Sequence, residues 1–208
     1  MDNIQTIGLL AGGSWASGIN VYMTVTILGL SQRFGWIELP GSLDTLGHPL
    51  VITAAIVLTV IEFVADKVPY VDSVWDSVHT FIRPVGGALI GYLAASELAA
   101  PLQTVVTLAA GTVALDSHLT KATSRAVINA SPEPVTNTTA SVVEDVSVIG
   151  AFYLIATHPL VITILVILFI LFSIWFLKTM FRFVRKIFAP RKSDQTQERE
   201  QVPQNENI

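Results

Sequence analysis

Long apolar segments alternate with short polar ones along most of the chain. The clearest, PLVITILVILFILFSIWFL at residues 159–177, is close to the ~20 apolar residues that cross a bilayer core. Five others are shorter or richer in small residues, and they cover residues 7–30, 49–65, 85–100, 102–119 and 140–157. Ala100-Pro101 and His158-Pro159 mark turns between neighbouring segments. The pattern predicts an all-α, polytopic bundle of about six transmembrane helices, with a re-entrant loop as the alternative for one short segment.

A second pattern lies at residues 68–84, VPYVDSVWDSVHTFIRP, where apolar and ionisable residues both recur at helical spacing. It predicts an amphipathic helix at the cytoplasmic interface, which ends at Pro84 before the next span begins. The polar face of this helix carries Asp72, Asp76, His79 and Arg83. One interpretation is that the face simply contacts water. The other is that Asp72, Asp76 and His79 face inward and bind a metal ion, since two carboxylates and an imidazole can ligate one.

Polar residues also fall inside the apolar segments, where a charge costs at least ~2.5–3.5 kcal/mol on insertion scales. They are Asn20 in the first segment, Glu62 and Asp66 at the end of the second, Asp116, His118 and Lys121 at the end of the fourth, and Glu144 and Asp145 at the start of the fifth. We expect them to form a transport or binding site, because intramembrane ionisable residues are functional candidates by default. The structural alternative is that Lys121 or Arg125 pairs with Glu62, Glu144 or Asp116 and fastens helices together.

The composition agrees with a membrane protein. Of the 208 residues, 51% are hydrophobic and 13% are charged, whereas about 25% are charged in a typical soluble domain. The formal net charge of −4 hides a basic cluster, because six of the twelve Lys and Arg residues fall between residues 178 and 192. This cluster predicts contact with anionic lipid and not with nucleic acid. The absence of cysteine excludes disulfides and thiolate metal sites.

Charges between the segments predict the topology. With the basic cluster in the cytoplasm and six spans, Lys67, Arg83, Lys121 and Arg125 fall on the cytoplasmic side and only Arg33 lies outside. We therefore predict a multi-pass protein of the cell inner membrane with both termini cytoplasmic. The transmembrane helical domain covers residues 1–188, with a polar linker at 126–139, and residues 189–208 form a disordered cytoplasmic tail.

A weak internal similarity links residues 13–20, GSWASGIN, with residues 111–118, GTVALDSH. If it reflects a duplication, the halves 1–100 and 101–188 have three spans each and form an inverted repeat, as in many secondary transporters. Chance explains a match of eight common residues equally well. Small-residue motifs such as Gly87-x3-Gly91 predict close helix packing under either interpretation.

Three segments resemble a bacterial family of small multi-spanning membrane proteins known only as a domain of unknown function. They are EFVADKVPYVD at residues 62–72, HLTKATSR at residues 118–125 and SVVEDV at residues 141–146. The resemblance covers about residues 5–160. It implies the membrane class and places the ionisable residues described above among the family's motifs, but it implies no substrate.

These observations favour a small membrane transporter or channel, either as a single chain or as a homo-oligomer. Carboxylates and histidines suit a monovalent or divalent cation, or a solute that moves together with protons. Two alternatives stay open: a non-transporting membrane scaffold held by interhelical ion pairs, and a lipid-translocating protein whose polar cluster opens sideways to lipid headgroups. The sequence contains no G-x-S-x-G, H-E-x-x-H or P-loop motif, so we expect no enzymatic activity.

Overall fold

The computed structural model describes residues 2–130 and 134–188. Within these residues the chain forms α-helices and one short 3-10 helix, and no β-strand. The helices are α1 (Asn3–Ile19), α2 (Val21–Arg33), the 3-10 helix (Gly41–Gly47), α3 (Pro49–Ala65), α4 (Pro69–Ala94), α5 (Ala100–Asn129), α6 (Pro134–Thr157) and α7 (Pro159–Phe188). The all-α prediction is confirmed. The two predicted proline turns fall at the starts of α5 and α7.

The first apolar segment is not one helix, as predicted, but two. Asn20 has extended backbone angles, φ −151° and ψ 96°, and separates α1 from α2. Its side-chain Oδ1 accepts a hydrogen bond from the backbone N–H of Met23 at 2.9 Å and caps the N-terminus of α2. The break has a physical reason, because an Asn side chain competes with the helix for backbone hydrogen bonds.

Helix α4 departs from the prediction in the opposite sense. The expected end at Pro84 is wrong, because α4 continues through this residue from Pro69 to Ala94. Proline removes one N–H donor from a helix interior, so neighbouring contacts must hold such a helix together. The extensive packing of α4 against α5 provides them. Gly87 and Gly91 lie so close to α5 that a side chain at either position would overlap an Ala residue, which confirms this packing motif.

The predicted polar linker at residues 126–139 is mostly helical. Helix α5 extends to Asn129, and α6 begins at Pro134. Only residues 131–133 of this segment lie outside the described part of the chain. Pro is tolerated in the first turn of a helix, so its presence did not exclude this arrangement.

Helix α1 lies at the centre of the bundle and packs against α4, α5, α6 and α7. At its C-terminal end Gly18 contacts Ala114 and Ser117 of α5. The two segments with weak internal similarity, 13–20 and 111–118, therefore lie against each other. Because α1 packs mainly on helices from the second predicted half, the two halves interleave, and the repeat itself stays a prediction.

The surface of the bundle is largely apolar, and its interior combines a hydrophobic core with buried ionisable side chains. Leu50, Phe81 and Trp175 are each more than 60% exposed, whereas the side chains of Glu62 and Arg83 are completely buried. Soluble domains seldom bury charged side chains completely or expose so many large apolar ones. Large exposed apolar surfaces of this kind mark contact with a membrane or a partner.

Two helices in the described part of the chain are long and apolar enough to cross a membrane, within Val135–Thr157 and Pro159–Lys186. The 3-10 helix and α3, bent by 70° relative to each other, form a third candidate if they are one span. These helices indicate membrane association. The six predicted spans are not confirmed, since the first apolar segment is broken, α3 alone has 17 residues, and α4 and α5 are not among these apolar helices.

The basic residues used to predict the topology fall into two groups, one buried and one exposed. Arg83, Lys121 and Arg125, counted as cytoplasmic loop charges, are buried inside the bundle. The inner-membrane location therefore stays a prediction. The prediction of two cytoplasmic termini does not fit the fold, because Gly8 near the start of α1 packs on Pro159 at the start of α7, whereas the described chain ends at the other end of α7. The basic residues up to Lys186 lie on the exposed last turns of α7, and the predicted disordered tail, 189–208, lies outside the described residues.

Candidate functional site

Arg83 is the centre of a first group of buried charges. Its Nη2 donates a hydrogen bond to Glu62 Oε1 of α3 at 2.5 Å, and its Nη1 donates to Asp76 Oδ1 of α4 at 3.1 Å. The side chains of both Arg83 and Glu62 are 0% exposed. A carboxylate can stay ionised inside an apolar bundle when a guanidinium contacts it so directly. Glu62 is thus paired and does not extend to the surface.

His118 of α5 contacts the same guanidinium. Its Nδ1 lies 2.8 Å from Arg83 Nη1, and because a guanidinium only donates hydrogen bonds, Nδ1 must be the acceptor. The imidazole proton therefore resides on Nε2, which donates to Thr80 Oγ1 at 3.0 Å. His118 is neutral in this arrangement. It gains a proton only if Arg83 moves away from Nδ1.

His79 has the opposite tautomer. Its Nδ1 donates to the Trp75 carbonyl oxygen at 2.8 Å, and its Nε2 accepts from the Tyr22 hydroxyl at 3.2 Å. The ring also stacks on Trp75, with 4.7 Å between the ring centroids. Burial lowers the pKa of His79 below its ordinary value, so this ring is neutral at neutral pH.

Lys121 and Arg125, one turn apart on α5, are the centre of a second group. Lys121 Nζ lies 3.1 Å from Asp66 Oδ2 and 3.3 Å from Glu144 Oε2. Arg125 Nε lies 3.1 Å from Glu144 Oε1, and its Nη2 lies 3.7 Å from both Asp66 Oδ2 and Asp72 Oδ1. The group connects α5 with α4, α6 and the C-terminal end of α3.

Two asparagines complete this second group. Asn137 Nδ2 donates to the backbone carbonyl of Asp66 at 2.8 Å, and its Oδ1 accepts from Arg125 Nη1 at 2.7 Å. Asn129 Nδ2 donates to Asp72 Oδ2 at 2.7 Å. Burial raises the pKa of Asp72 above its ordinary value, although the Asn129 hydrogen bond and the Arg125 charge both act to lower it.

The break between α1 and α2 lies against this second group. Asn20 Nδ2 donates to Asp145 Oδ1 at 3.3 Å, and Lys121 Nζ donates to the carbonyl of Ile19, the last residue of α1, at 3.1 Å. A cation thus faces the C-terminal end of α1 and a carboxylate lies near the N-terminal end of α2. Helix dipoles favour this arrangement. Discontinuous helices with charged groups at the break are typical of transporter sites.

Carboxylates outnumber cations in this interior. The buried charge network, as we define it, consists of Arg83, Lys121, Arg125 and six acids, Glu62, Asp66, Asp72, Asp76, Glu144 and Asp145. Lys67, half-buried at the edge, adds one positive charge near Asp145. Even with it, six carboxylates face four cations. Since an uncompensated buried charge is costly, protons or a bound cation would stabilise this surplus.

Several carboxylate oxygens of the network are also free. Within the described residues, Glu62 Oε2, Asp66 Oδ1, Asp76 Oδ2 and Asp145 Oδ2 are buried and have no hydrogen-bond partner. Asp145 forms no ion pair in that part of the chain. Buried polar atoms are normally paired, so each free oxygen is a position where a proton or a ligand would be stabilising.

The predicted site residues meet with one exception. Seven of the eight lie in or against the buried charge network, and the predicted pairing of Lys121 and Arg125 with Glu144 is found. Asp116 instead faces α7, where its Oδ2 accepts a hydrogen bond from Ser173 Oγ at 2.6 Å. Glu62 pairs with Arg83 and not with Lys121 or Arg125. Sequence patterns did not indicate Asn137, because it lies in a Pro- and Thr-rich stretch typical of a linker.

The predicted metal ligands face inward but do not form a metal site. Asp72, Asp76 and His79 are at most 5% exposed, so the interpretation that their helix face contacts water is wrong. Asp72 contacts Arg125 and Asp76 contacts Arg83, so guanidinium groups neutralise both carboxylates where a metal ion was expected. No group of three His, Cys, Asp or Glu side chains within residues 2–130 and 134–188 is placed to hold a metal ion.

A comparison with known families bears on the same residues. The family model described as "Domain of unknown function (DUF4126)" matches residues 7–179. The match includes the whole buried charge network and extends further along α7 than the resemblance in the sequence suggested. No curated protein and no solved structure matches the chain.

Proposed function

Because the chain belongs to the DUF4126 family, whose description gives no function, we propose one from the buried charge network: a small membrane transporter or channel that moves protons, alone or together with a solute. The surplus of buried carboxylates over cations carries this proposal. An ion-pair network built only for stability needs equal numbers of both signs, since each unpaired buried charge destabilises the fold. If protons neutralise the surplus carboxylates, the interior gains and loses charge as those protons exchange.

In this proposal the bundle lies in the inner membrane, with the C-terminus cytoplasmic and the network toward the cytoplasmic ends of the spans. Helices α1 and α2 form a re-entrant hairpin from the opposite side, because Gln5 of α1, Trp36 after α2 and Ile155 of α6 line one pocket, whereas Asn20 between the two helices reaches the network. Helix α3, the second half of α4, the first half of α5, α6 and α7 form the spans. The apolar surface supports the assignment, because side chains such as Leu50 and Leu108 are more than 60% exposed and would contact lipid.

The contacts of Arg83 suggest how a proton would change the network. Arg83 lies between Glu62 and Asp76, and both carboxylates need its charge. Protonation of either carboxylate removes its negative charge and weakens its ion pair with Arg83. The Arg83 guanidinium then pairs more strongly with the other carboxylate. The same proton therefore changes an interhelical contact between α3 and α4. Such a local change in charge shifts the equilibrium between two arrangements of packed helices, and transport requires such a shift.

Glu62→Gln tests the proposal because it removes a titratable carboxylate and keeps the side-chain size. We expect proton flux through vesicles containing the purified protein to fall to the level of protein-free vesicles. The flux would be measured with a pH-sensitive dye after an imposed pH gradient. Glu97→Gln is the matched control, since Glu97 is exposed in the middle of the α4–α5 connection and lies outside the network.

The outcomes separate the three functions that the sequence left open. Proton flux that the unsubstituted protein shows and a folded Glu62→Gln variant lacks supports transport. Flux that persists unchanged in Glu62→Gln contradicts a role for this carboxylate. Movement of fluorescent lipid without proton flux would assign lipid translocation instead.

A membrane scaffold is the second candidate, and one observation favours it. Each of the cations Arg83, Lys121 and Arg125 contacts an acid on another helix, so the network joins α3, α4, α5 and α6. Under this proposal the unsubstituted protein is folded and shows no flux of protons, ions or lipid.

A further inference from the structure

A polar pocket lies between α4 and α5 at the edge of the buried charge network. It has a volume of about 240 Å³, and Asp76, Ser77, Thr80 and Arg125 are among the residues that line it. Ser77 is exposed, whereas Asp76 and Arg125 are at most 5% exposed. The pocket therefore leads from the surface of the bundle to two members of the network.

Asp76, which lines this pocket, has one unpaired carboxylate oxygen. Its Oδ1 accepts a hydrogen bond from Arg83 at 3.1 Å, whereas its Oδ2 is buried and has no hydrogen-bond partner in the described part of the chain. Thr80, one turn further along α4, accepts a hydrogen bond from His118 Nε2 at 3.0 Å. Two residues that line the pocket are therefore a carboxylate with an unpaired oxygen and a threonine whose hydroxyl contacts the next titratable group.

We propose that this pocket is the aqueous entrance through which protons reach the buried charge network, with Asp76 Oδ2 as the first acceptor. The inference rests on the proposed function and specifies its route. A hydronium ion gives its proton to Oδ2 and leaves as water, and the carboxylate becomes a neutral carboxyl group. Arg83 then loses one of its two anionic partners. When Arg83 withdraws from His118 Nδ1, that nitrogen becomes able to accept a proton in turn.

The charged and titratable groups around Asp76 are consistent with this role. Arg83, His79 and Asp72 lie on its own helix, His118 and Arg125 face it from α5, and Glu62 of α3 shares Arg83 with it. The carboxylates favour cations in the pocket. Arg125 limits this preference, but its charge is shared among Glu144, Asp66 and Asp72. We therefore expect the pocket to concentrate small cations over anions of the same size.

The cysteine-free chain allows a direct test, since a single introduced cysteine is the only thiol. Ser77→Cys places a thiol in the wall of the pocket, and Val78→Cys places one on the adjacent, apolar face of α4. Both variants would be treated in vesicles with a cationic and an anionic methanethiosulfonate reagent of equal size. We expect Ser77→Cys to react about tenfold faster with the cationic reagent, and the added Asp76→Asn change to remove most of that preference. Val78→Cys should show no such preference.

Proton flux measured on the same vesicles completes the test. Attachment of the cationic reagent to Ser77→Cys should lower its flux at least about fivefold relative to the same variant before treatment, because it adds a positive charge beside the acceptor. An unreactive Ser77→Cys thiol, equal rates with both reagents, or a flux that labelling leaves unchanged would overturn the pocket as the entrance. In each of those cases, proton flux through the unsubstituted protein would still support the proposed function. Absence of that flux would overturn both.

Discussion

Replacing Arg83 by Met should lower the free energy of unfolding by ~3–5 kcal/mol, because it leaves two buried carboxylates without their cation. Arg83 is completely buried, and it is the ion-pair partner of both Glu62 and Asp76. Met keeps much of the side-chain volume, so the expected loss reflects charge and not a cavity. Unfolding of the purified protein in lipid nanodiscs, followed by circular dichroism, measures the change.

Two further variants make this prediction specific. Arg33→Met removes an exposed arginine at the end of α2 and should change the stability by less than about 1 kcal/mol. Adding Glu62→Gln and Asp76→Asn to Arg83→Met removes all three charges and should recover most of the lost stability, since a buried ion pair can be replaced by neutral groups at little cost. If Arg83→Met alone is as stable as the unsubstituted protein, the guanidinium does not neutralise these carboxylates.

Gly18→Ala is expected to have the second large effect. A Cβ at residue 18 would overlap the Ser117 hydroxyl and the Ala114 backbone carbonyl of α5. A backbone carbonyl cannot rotate away, so α1 and α5 would have to separate at the point where Ser117 Oγ donates to the Trp15 carbonyl at 2.9 Å. We expect a loss of roughly 2–3 kcal/mol or more, as for other overpacked interiors. The same unfolding measurement detects it.

Gly150→Ala is the matched control for this substitution. Both glycines lie in helices, so the intrinsic gain in helix propensity from Gly to Ala, about 1 kcal/mol, is the same for both. A Cβ at Gly150 meets no atom within 4 Å. Gly150→Ala should therefore be neutral or stabilising. Equal effects of the two substitutions would contradict the close contact between α1 and α5.

The helical class and the polar interior were predictable from the sequence because they depend on composition and spacing. Apolar segments bounded by prolines predicted most helices, and an acid such as Glu62 inside one of them needs a partner in any membrane protein. The spacing of Asp72, Asp76 and His79 placed them correctly on one face. It did not specify their partners, because acids one turn apart are common on helices of every kind.

The partners were not predictable because they come from other helices. Arg83 stands before Pro84, which suggested the end of a helix, and only the packing of α4 on α5 shows that the helix continues and buries this arginine. Asn20 is a similar case. The neighbouring sequence does not distinguish an asparagine that interrupts a helix from one whose side chain hydrogen-bonds to another helix. Its role depends on Asp145 and Lys121, which lie more than 100 residues later.

The central claim is that the surplus buried carboxylates hold exchangeable protons, and infrared spectroscopy of the protein in lipid tests it most directly. At neutral pH we predict an absorption band of protonated carboxyl groups that Asp145→Asn weakens and Glu97→Gln leaves unchanged, because Asp145 is buried and forms no ion pair within the described residues, whereas Glu97 is exposed. The band should disappear as the pH is raised. A spectrum in which every carboxyl group is already ionised at neutral pH would contradict the claim.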